Sequence, residues 1–284
     1  MPLLNDYAHP PEWMDPDLVP RPLVTFGAAG IAVDDIAAEH AANYAHGRKE
    51  LGFHRHRKGE LVLALHGILT CEVEGGLWVV PPQSALWIPC DVEHKVTATG
   101  TIECYIAFVT AEAASTLPPQ CCAVTASPLL RELLIRAAGF PLLYPEGGLE
   151  THLATLLMDE LATAKIGDLH LPMPTDRRLR KIADMLMEDP TAPGTMQTWA
   201  RKVGLSERTL ARLLTQQTGM SFGRWRQQLQ VMLAVTWLGS GASVQQVADR
   251  LGYESTGSFV TMFRKALGTT PGRYMAQRSG TAAR

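Results

Sequence analysis

Two sets of residues in this chain have the type and spacing to do chemistry. The first is His54-Arg-His56-Arg-Lys-Gly-Glu60, followed further along by Pro89-Cys-Asp-Val-Glu-His94. Residues two apart on a strand point to one face, so the His54 and His56 imidazoles can converge on one point. The second is Arg208 with Arg212, four residues apart and therefore neighbours on one face of a helix. A guanidinium presents planar, paired donors that suit phosphate oxygens and the O6/N7 edge of guanine. Hydroxyls at Ser206, Thr256, Ser258 and Thr261, together with Lys265, fall in the same part of the chain. Isolated histidines and arginines are ordinarily satisfied or solvated groups, so each set needs surrounding elements that aim it.

The charge distribution separates the two sets. The 284 residues carry a net charge of −2, which by itself argues against a polyanion partner. From Asp176 onward, however, 16 Lys and Arg face 7 Asp and Glu, a net of +9, whereas the preceding 175 residues hold 10 against 21, a net of −11. One half alone is suited to a polyanion. The length allows two domains, each with its own core, and 46% hydrophobic with 19% charged residues fits a globular chain. The longest apolar runs, residues 61–65 and 231–238, are too short for a bilayer. Residues 1–17 lack the basic-then-apolar order of a signal peptide, so a cytoplasmic location without membrane attachment is expected. The five cysteines, Cys71, Cys90, Cys104, Cys121 and Cys122, include no Cys-x-x-Cys and read as reduced, mostly buried thiols. Nothing beside Cys121 and Cys122 would lower a thiol pKa, so oxidant sensing is not expected.

The elements that must position these groups follow from punctuation and period. Residues 1–20 are Pro-rich and read as an irregular arm. From residue 21 to about 110, short apolar runs (61–65, 77–80, 85–88, 102–109) alternate with Gly, Pro and Asp, the pattern of an antiparallel sandwich or barrel. Helices are expected over 127–138 and 149–163. The second carries Leu149, Leu153, Leu156, Leu157, Met158 and Leu161 at helical spacing, either covering the core or forming a dimer seam. Residues 166–175 read as a linker.

Beyond it the text is helical and falls into two similar halves. In the first, Trp199, Ala200 and Val203 turn inward, Gly204 breaks the helix, and Ser206 caps a second helix buried through Leu210, Leu213 and Leu214. Arg208, Ala211, Arg212 and Thr215 remain on the opposite face. In the second, Ser243 caps a helix burying Val244, Val247, Ala248 and Leu251, Gly252 breaks it, and Phe259, Phe263 and Leu267 form the stripe of the next. One long helix over 222–238 is expected to space the halves. Each half is a helix-turn-helix arrangement whose second helix fits a DNA major groove.

The segments Val247-Ala-Asp-Arg-Leu-Gly-Tyr-Glu-Ser and Gly268-Thr-Thr-Pro-Gly-Arg-Tyr274 resemble the AraC/XylS family of bacterial transcription regulators over roughly 100 residues. The resemblance implies base contacts at Arg208 and Arg212 in the first half and at Thr256 and Thr261 in the second. The smaller side chains of the second half, with Gly257 between them, imply that the first half dominates readout and the second mostly holds phosphates.

The histidine-bearing text resembles the two cupin motifs. The first motif is complete through Gly67, whereas the second has Asp91 in place of glycine and Ala98 in place of a trailing asparagine. That resemblance implies a small antiparallel barrel in which His54, His56, Glu60 and His94 hold a divalent metal (Zn, Mn, Fe or Ni), although a sensing barrel can also keep the fold without the ion. His46 and His66 lack such a context. The combined expectation is an α+β protein: an N-terminal cupin-like antiparallel β-barrel followed by an all-α tandem helix-turn-helix domain. Its divisions are an arm at 1–20, the barrel at 21–125, connector helices and linker at 126–175 and the DNA-binding domain at 176–284. Expected partners are double-stranded DNA, a small-molecule effector, a second copy of the chain and RNA polymerase. A metal-dependent cupin enzyme with an accessory nucleic-acid-binding domain is the alternative.

Overall fold

The computed structural model describes residues 15–31, 48–167 and 170–278. These form two compact units, the first from residues within 1–73 and 78–169, the second from 74–77 and 170–284. Residues 1–14 of the expected arm, and His46, lie outside the described residues. What is described of the arm includes a 3-10 turn, Pro16–Leu18, capped by Asp15.

In the first unit the strands are β1 (Leu23–Ile31), β2 (Arg48–His54), β3 (Gly59–Val73), β4 (Gly76–Val80), β5 (Ser84–Ile88), β6 (His94–Val109) and β7 (Cys122–Thr125). The long strand β6 pairs antiparallel with β3 along its length, with β2 near its start and with β1 near its end. β5 bridges β3 and β7, also antiparallel. Period-two alternation sorts the side chains into two clusters. Leu61, Leu63, Ala85, Trp87, Tyr105, Ala107 and Val109 pack with residues of α1 (Pro128–Ala137) and α2 (Leu149–Ala162). Their neighbours Val62, Ala64, Leu86, Ile88, Ile102 and Cys104 form the other face with Leu69 and Cys71. Ser127 caps α1 through Leu130 N–H, and α2 buries Ala154, Leu157 and Leu161 while Leu149 and Leu156 stay exposed.

The stretch read as a linker holds more structure than its prolines suggest. Ile166 bridges to Val124, and β8 (His170–Pro172) precedes the helices, with Leu171 and Met173 buried.

The second unit carries α3 (Arg177–Glu188), α4 (Met196–Lys202), α5 (Glu207–Thr218), α6 (Phe222–Gly239), α7 (Val244–Arg250), α8 (Thr256–Leu267) and α9 (Pro271–Arg278). Hydroxyl or carboxylate caps start most of them: Asp176, Thr195, Ser206, Ser221, Ser243 and Ser255 each accept a backbone N–H of the first turn. α6 packs against α5, α7, α8 and α9, and is thus the scaffold for both halves. Trp199, Leu210, Trp225, Phe259 and Phe263 are fully buried. Leu213, Val244 and Leu267, expected in the core, are only half-buried because each sits at the edge of its stripe.

Candidate metal centre and nucleic-acid interface

In the first unit the sheet delivers the histidine set to one place. β2 ends at His54, the segment before β3 carries His56, Glu60 is the second residue of β3, and His94 opens β6. Asp17 accepts the Arg57 and Lys58 backbone N–H groups at 2.8 and 3.0 Å, while Lys58 Nζ donates to the carbonyls of Val19 and Arg21. This clamp holds the segment that bears His56. The Asp91 N–H donates to the His56 carbonyl at 2.9 Å and ties the two motif segments together. Asp91 has φ +60°, the left-handed region where the resembled pattern places glycine, and a short Asp side chain tolerates that backbone. The turn therefore survives the departure from the motif.

The ring centroids of His54, His56 and His94 lie 4.3 to 5.3 Å apart, and one nitrogen from each falls within 4.8 Å of the others. Glu60 Oε2 is 3.0 Å from His94 Nε2 and 3.6 Å from His56 Nε2. His54 Nδ1 lies 2.8 Å from the Gly52 carbonyl and His94 Nδ1 2.9 Å from that of Val92. A carbonyl only accepts, so both Nδ1 atoms carry protons, and each neutral ring has its lone pair on Nε2. His94 Nε2 and Glu60 Oε2 are both buried and at contact distance, yet neither completes an aligned hydrogen bond among the described residues. Two buried lone pairs facing each other repel unless a cation, either a proton or a metal, lies near both. The two rings differ in response. Burial lowers the His56 pKa; burial also pulls on His94, but the facing Glu60 carboxylate overrides it and raises that pKa. The three imidazoles thus fit a divalent cation, with the Glu60 carboxylate beside two of them.

His66 stands apart from this cluster. Its Nδ1 pairs with Glu103 at 2.6 Å, and Glu103 also accepts from the Tyr105 hydroxyl. The cysteines are all free thiols, and burial raises the pKa of Cys71, Cys90, Cys121 (to about 12) and Cys122.

In the second unit both halves make the same turn. Leu205 N–H bonds to Ala200 O at 2.9 Å and Tyr253 N–H to Ala248 O at 3.0 Å, while Gly204 and Gly252 take φ of +70° and +75°. Only glycine enters that region without steric cost, so the glycines fix the reversal that brings α5 back on α4 and α8 back on α7. On α5, Arg208 is exposed and has no partner among the described residues. Arg212 is exposed and, among the described residues, reaches only Gln216, at 3.4 Å. Ser206 is exposed but serves as the cap, with its Oγ accepting Thr209 N–H at 3.1 Å. On α8, Ser258, Thr261 and Lys265 are exposed, whereas Thr256 is half-buried with its hydroxyl bonded to Gln245 of α7. Sequence reasoning missed Gln245, because a glutamine in the first turn of a helix carries no signal of what lies across a turn from it. No described helix is long and apolar enough to cross a membrane.

This pair of glycine-turned helix couples, each with an exposed polar second helix, defines a helix-turn-helix DNA-binding regulator. A family model described as "Helix-turn-helix domain" matches residues 199–277. The chain is 45% identical over 224 residues to the HTH-type transcriptional regulator NimR of Escherichia coli, an alignment covering 79% of this chain and 82% of that protein. It is 30% identical over 138 residues to the regulator RipA of Corynebacterium glutamicum, covering 49% and 40% respectively. ToxT from Vibrio cholerae, solved with a bound unsaturated fatty acid, aligns over 92% of this chain and 97% of its own, at 10% identity and a loose TM-score of 0.38. The chain belongs to the AraC family of helix-turn-helix transcription regulators and binds double-stranded DNA.

Proposed function

We propose that this regulator is a cytoplasmic, dimeric DNA-binding protein whose N-terminal sheet is a cupin-like sensor. A divalent metal held by His54, His56, His94 and Glu60 forms part of its effector site. The observation that carries the metal reading is the buried, unaligned contact between His94 Nε2 and Glu60 Oε2, beside two imidazoles that can turn lone pairs toward the same space. Bound there, Zn, Mn, Fe or Ni would supply an electron-pair acceptor for an oxygen or nitrogen of a small-molecule effector. The protein's own groups do the rest: the Asp17–Lys58 clamp fixes His56, and the Gly52 and Val92 carbonyls orient the His54 and His94 rings. Effector binding shifts an equilibrium between DNA-competent and incompetent arrangements. Arg208 and Arg212 read bases from α5. Ser206, Ser258, Thr261, Thr256 and Lys265 complete the DNA face, and RNA polymerase is the partner at the promoter.

Elemental analysis of purified protein tests the sensor site. Wild type is expected to hold close to one equivalent of a divalent transition metal, and His54→Ala/His56→Ala none. Gel shifts on a selected operator, before and after chelation, then report whether the ion bears on DNA binding. Equal metal content in both proteins would remove these residues as ligands.

A further inference from the structure

The second half carries small hydroxyl side chains where a base reader is expected, and its geometry says what kind of edge they can read. Gln245 lies in the first turn of α7, and its Nε2 donates to Asp249 Oδ1 at 2.8 Å. A carboxylate only accepts, so Asp249 fixes which end of the amide faces it and turns Oε1 the other way. That oxygen accepts the Thr256 hydroxyl proton at the start of α8. With its single proton committed, the Thr256 oxygen has only lone pairs to offer. Thr261, one and a half turns on, likewise spends its proton on the Gly257 carbonyl at 2.9 Å.

We propose that Gln245, oriented by Asp249, is a positioning residue that makes Thr256 an acceptor-only reader, so that the second half prefers an amino-bearing base, adenine or cytosine, at one position of the operator. The proposal rests on α8 entering a major groove. There, adenine N6 and cytosine N4 are the donors, whereas guanine O6 and N7 and thymine O4 only accept. A phosphate oxygen also only accepts, so a hydroxyl without a free proton is poorly matched to it. The chain Asp249–Gln245–Thr256 therefore moves this half from holding phosphates, as its small side chains imply, toward reading sequence.

Selection of bound duplexes from a random pool by the full-length protein tests this. Thr256→Val identifies the position, as the one place where base preference is lost. There, wild type is expected to favour adenine or cytosine over guanine or thymine about fivefold, as one hydrogen bond of ordinary strength allows. Gln245→Ala frees the hydroxyl to donate and should bring that ratio near one, with the rest of the site and the melting temperature unchanged. The double variant Gln245→Glu/Asp249→Asn rebuilds the chain. Its new amide can donate to one oxygen of the new carboxylate while the other accepts from Thr256, so the preference should return. A preference that survives Gln245→Ala, or a Thr256→Val variant that alters no position, overturns the proposal and leaves DNA binding standing. If wild type enriches no sequence at all, the groove reading of α8 falls with it.

Discussion

Arg212 illustrates how residue-scale function depends on what a side chain does not touch. Among the described residues its guanidinium has one long contact, to Gln216, so nearly all of its donors there are left for a partner. Arg212→Ala is therefore expected to leave stability within about 0.5 kcal/mol, since surface substitutions away from such contacts rarely cost more. It should weaken operator binding by about 1–3 kcal/mol and relax one base preference. A footprint and affinity unchanged from wild type would take Arg212 out of the reading set. The cysteines make the opposite case. Burial holds the Cys71, Cys90, Cys121 and Cys122 thiols in the protonated, poorly nucleophilic form, and Cys121 is pushed to about 12. The absence of a flanking cation beside Cys121 and Cys122 already argued against oxidant sensing in the sequence, and the structure adds desolvation as the stronger reason.

Helix caps decide where the elements of the second unit begin. Asp176 accepts the Arg178 N–H at 2.9 Å and pairs with its guanidinium at 2.7 Å, and that hydrogen bond holds the carboxyl at about 2, below its ordinary 3.8. A folded-state value below the unfolded one contributes stability that is complete above the ordinary carboxylate range and is lost as pH falls through about 2. Asp176→Ala should cost about 1 kcal/mol at neutral pH, the usual worth of such a cap. In paired denaturant titrations the gap between variant and wild type should narrow toward pH 2; a gap independent of pH would mean the carboxylate charge is not what stabilises α3. The Ser206 and Ser243 caps were legible in the sequence because a hydroxyl ahead of an apolar period is a local signal, whereas the Asp176 cap emerged only in the structure. Less legible was the stretch 166–175, where two prolines suggested a free linker. Leu171 and Met173 are buried there, and burial depends on what surrounds a segment rather than on its composition.

At the scale of the whole molecule, an acidic first part and a basic second part share one chain, so the polyanion is met by one unit alone. A second protomer would present a second pair of helix-turn-helix halves to the duplex. On α2, Leu149 and Leu156 are seven residues apart on one exposed face, while Leu157 and Leu161 are in the core. Part of the helix's leucine pattern is thus core cover and part is available for a partner. Leu149→Asp/Leu156→Asp should convert a sedimenting dimer to a monomer and weaken operator binding without unfolding the protein, because neither side chain is buried. A wild-type chain that sediments as a monomer at the concentrations used for DNA binding would refute the seam.

The sequence by itself determined the order of the helices in the second unit, the two glycine turns and the outward arginines, whereas His56 lies beyond the end of β2, so strand period is not what brings it to His54. Each of the first three is a local property, set by backbone preference or by the period of a helix. Only the tertiary structure decided that Glu60 and His94 meet in a buried contact, that Asp91 keeps a turn meant for glycine, and that Thr256 surrenders its proton to Gln245. Those facts depend on groups brought together from separate elements, and hydrogen-bond polarity acquires a direction only when both partners are in place.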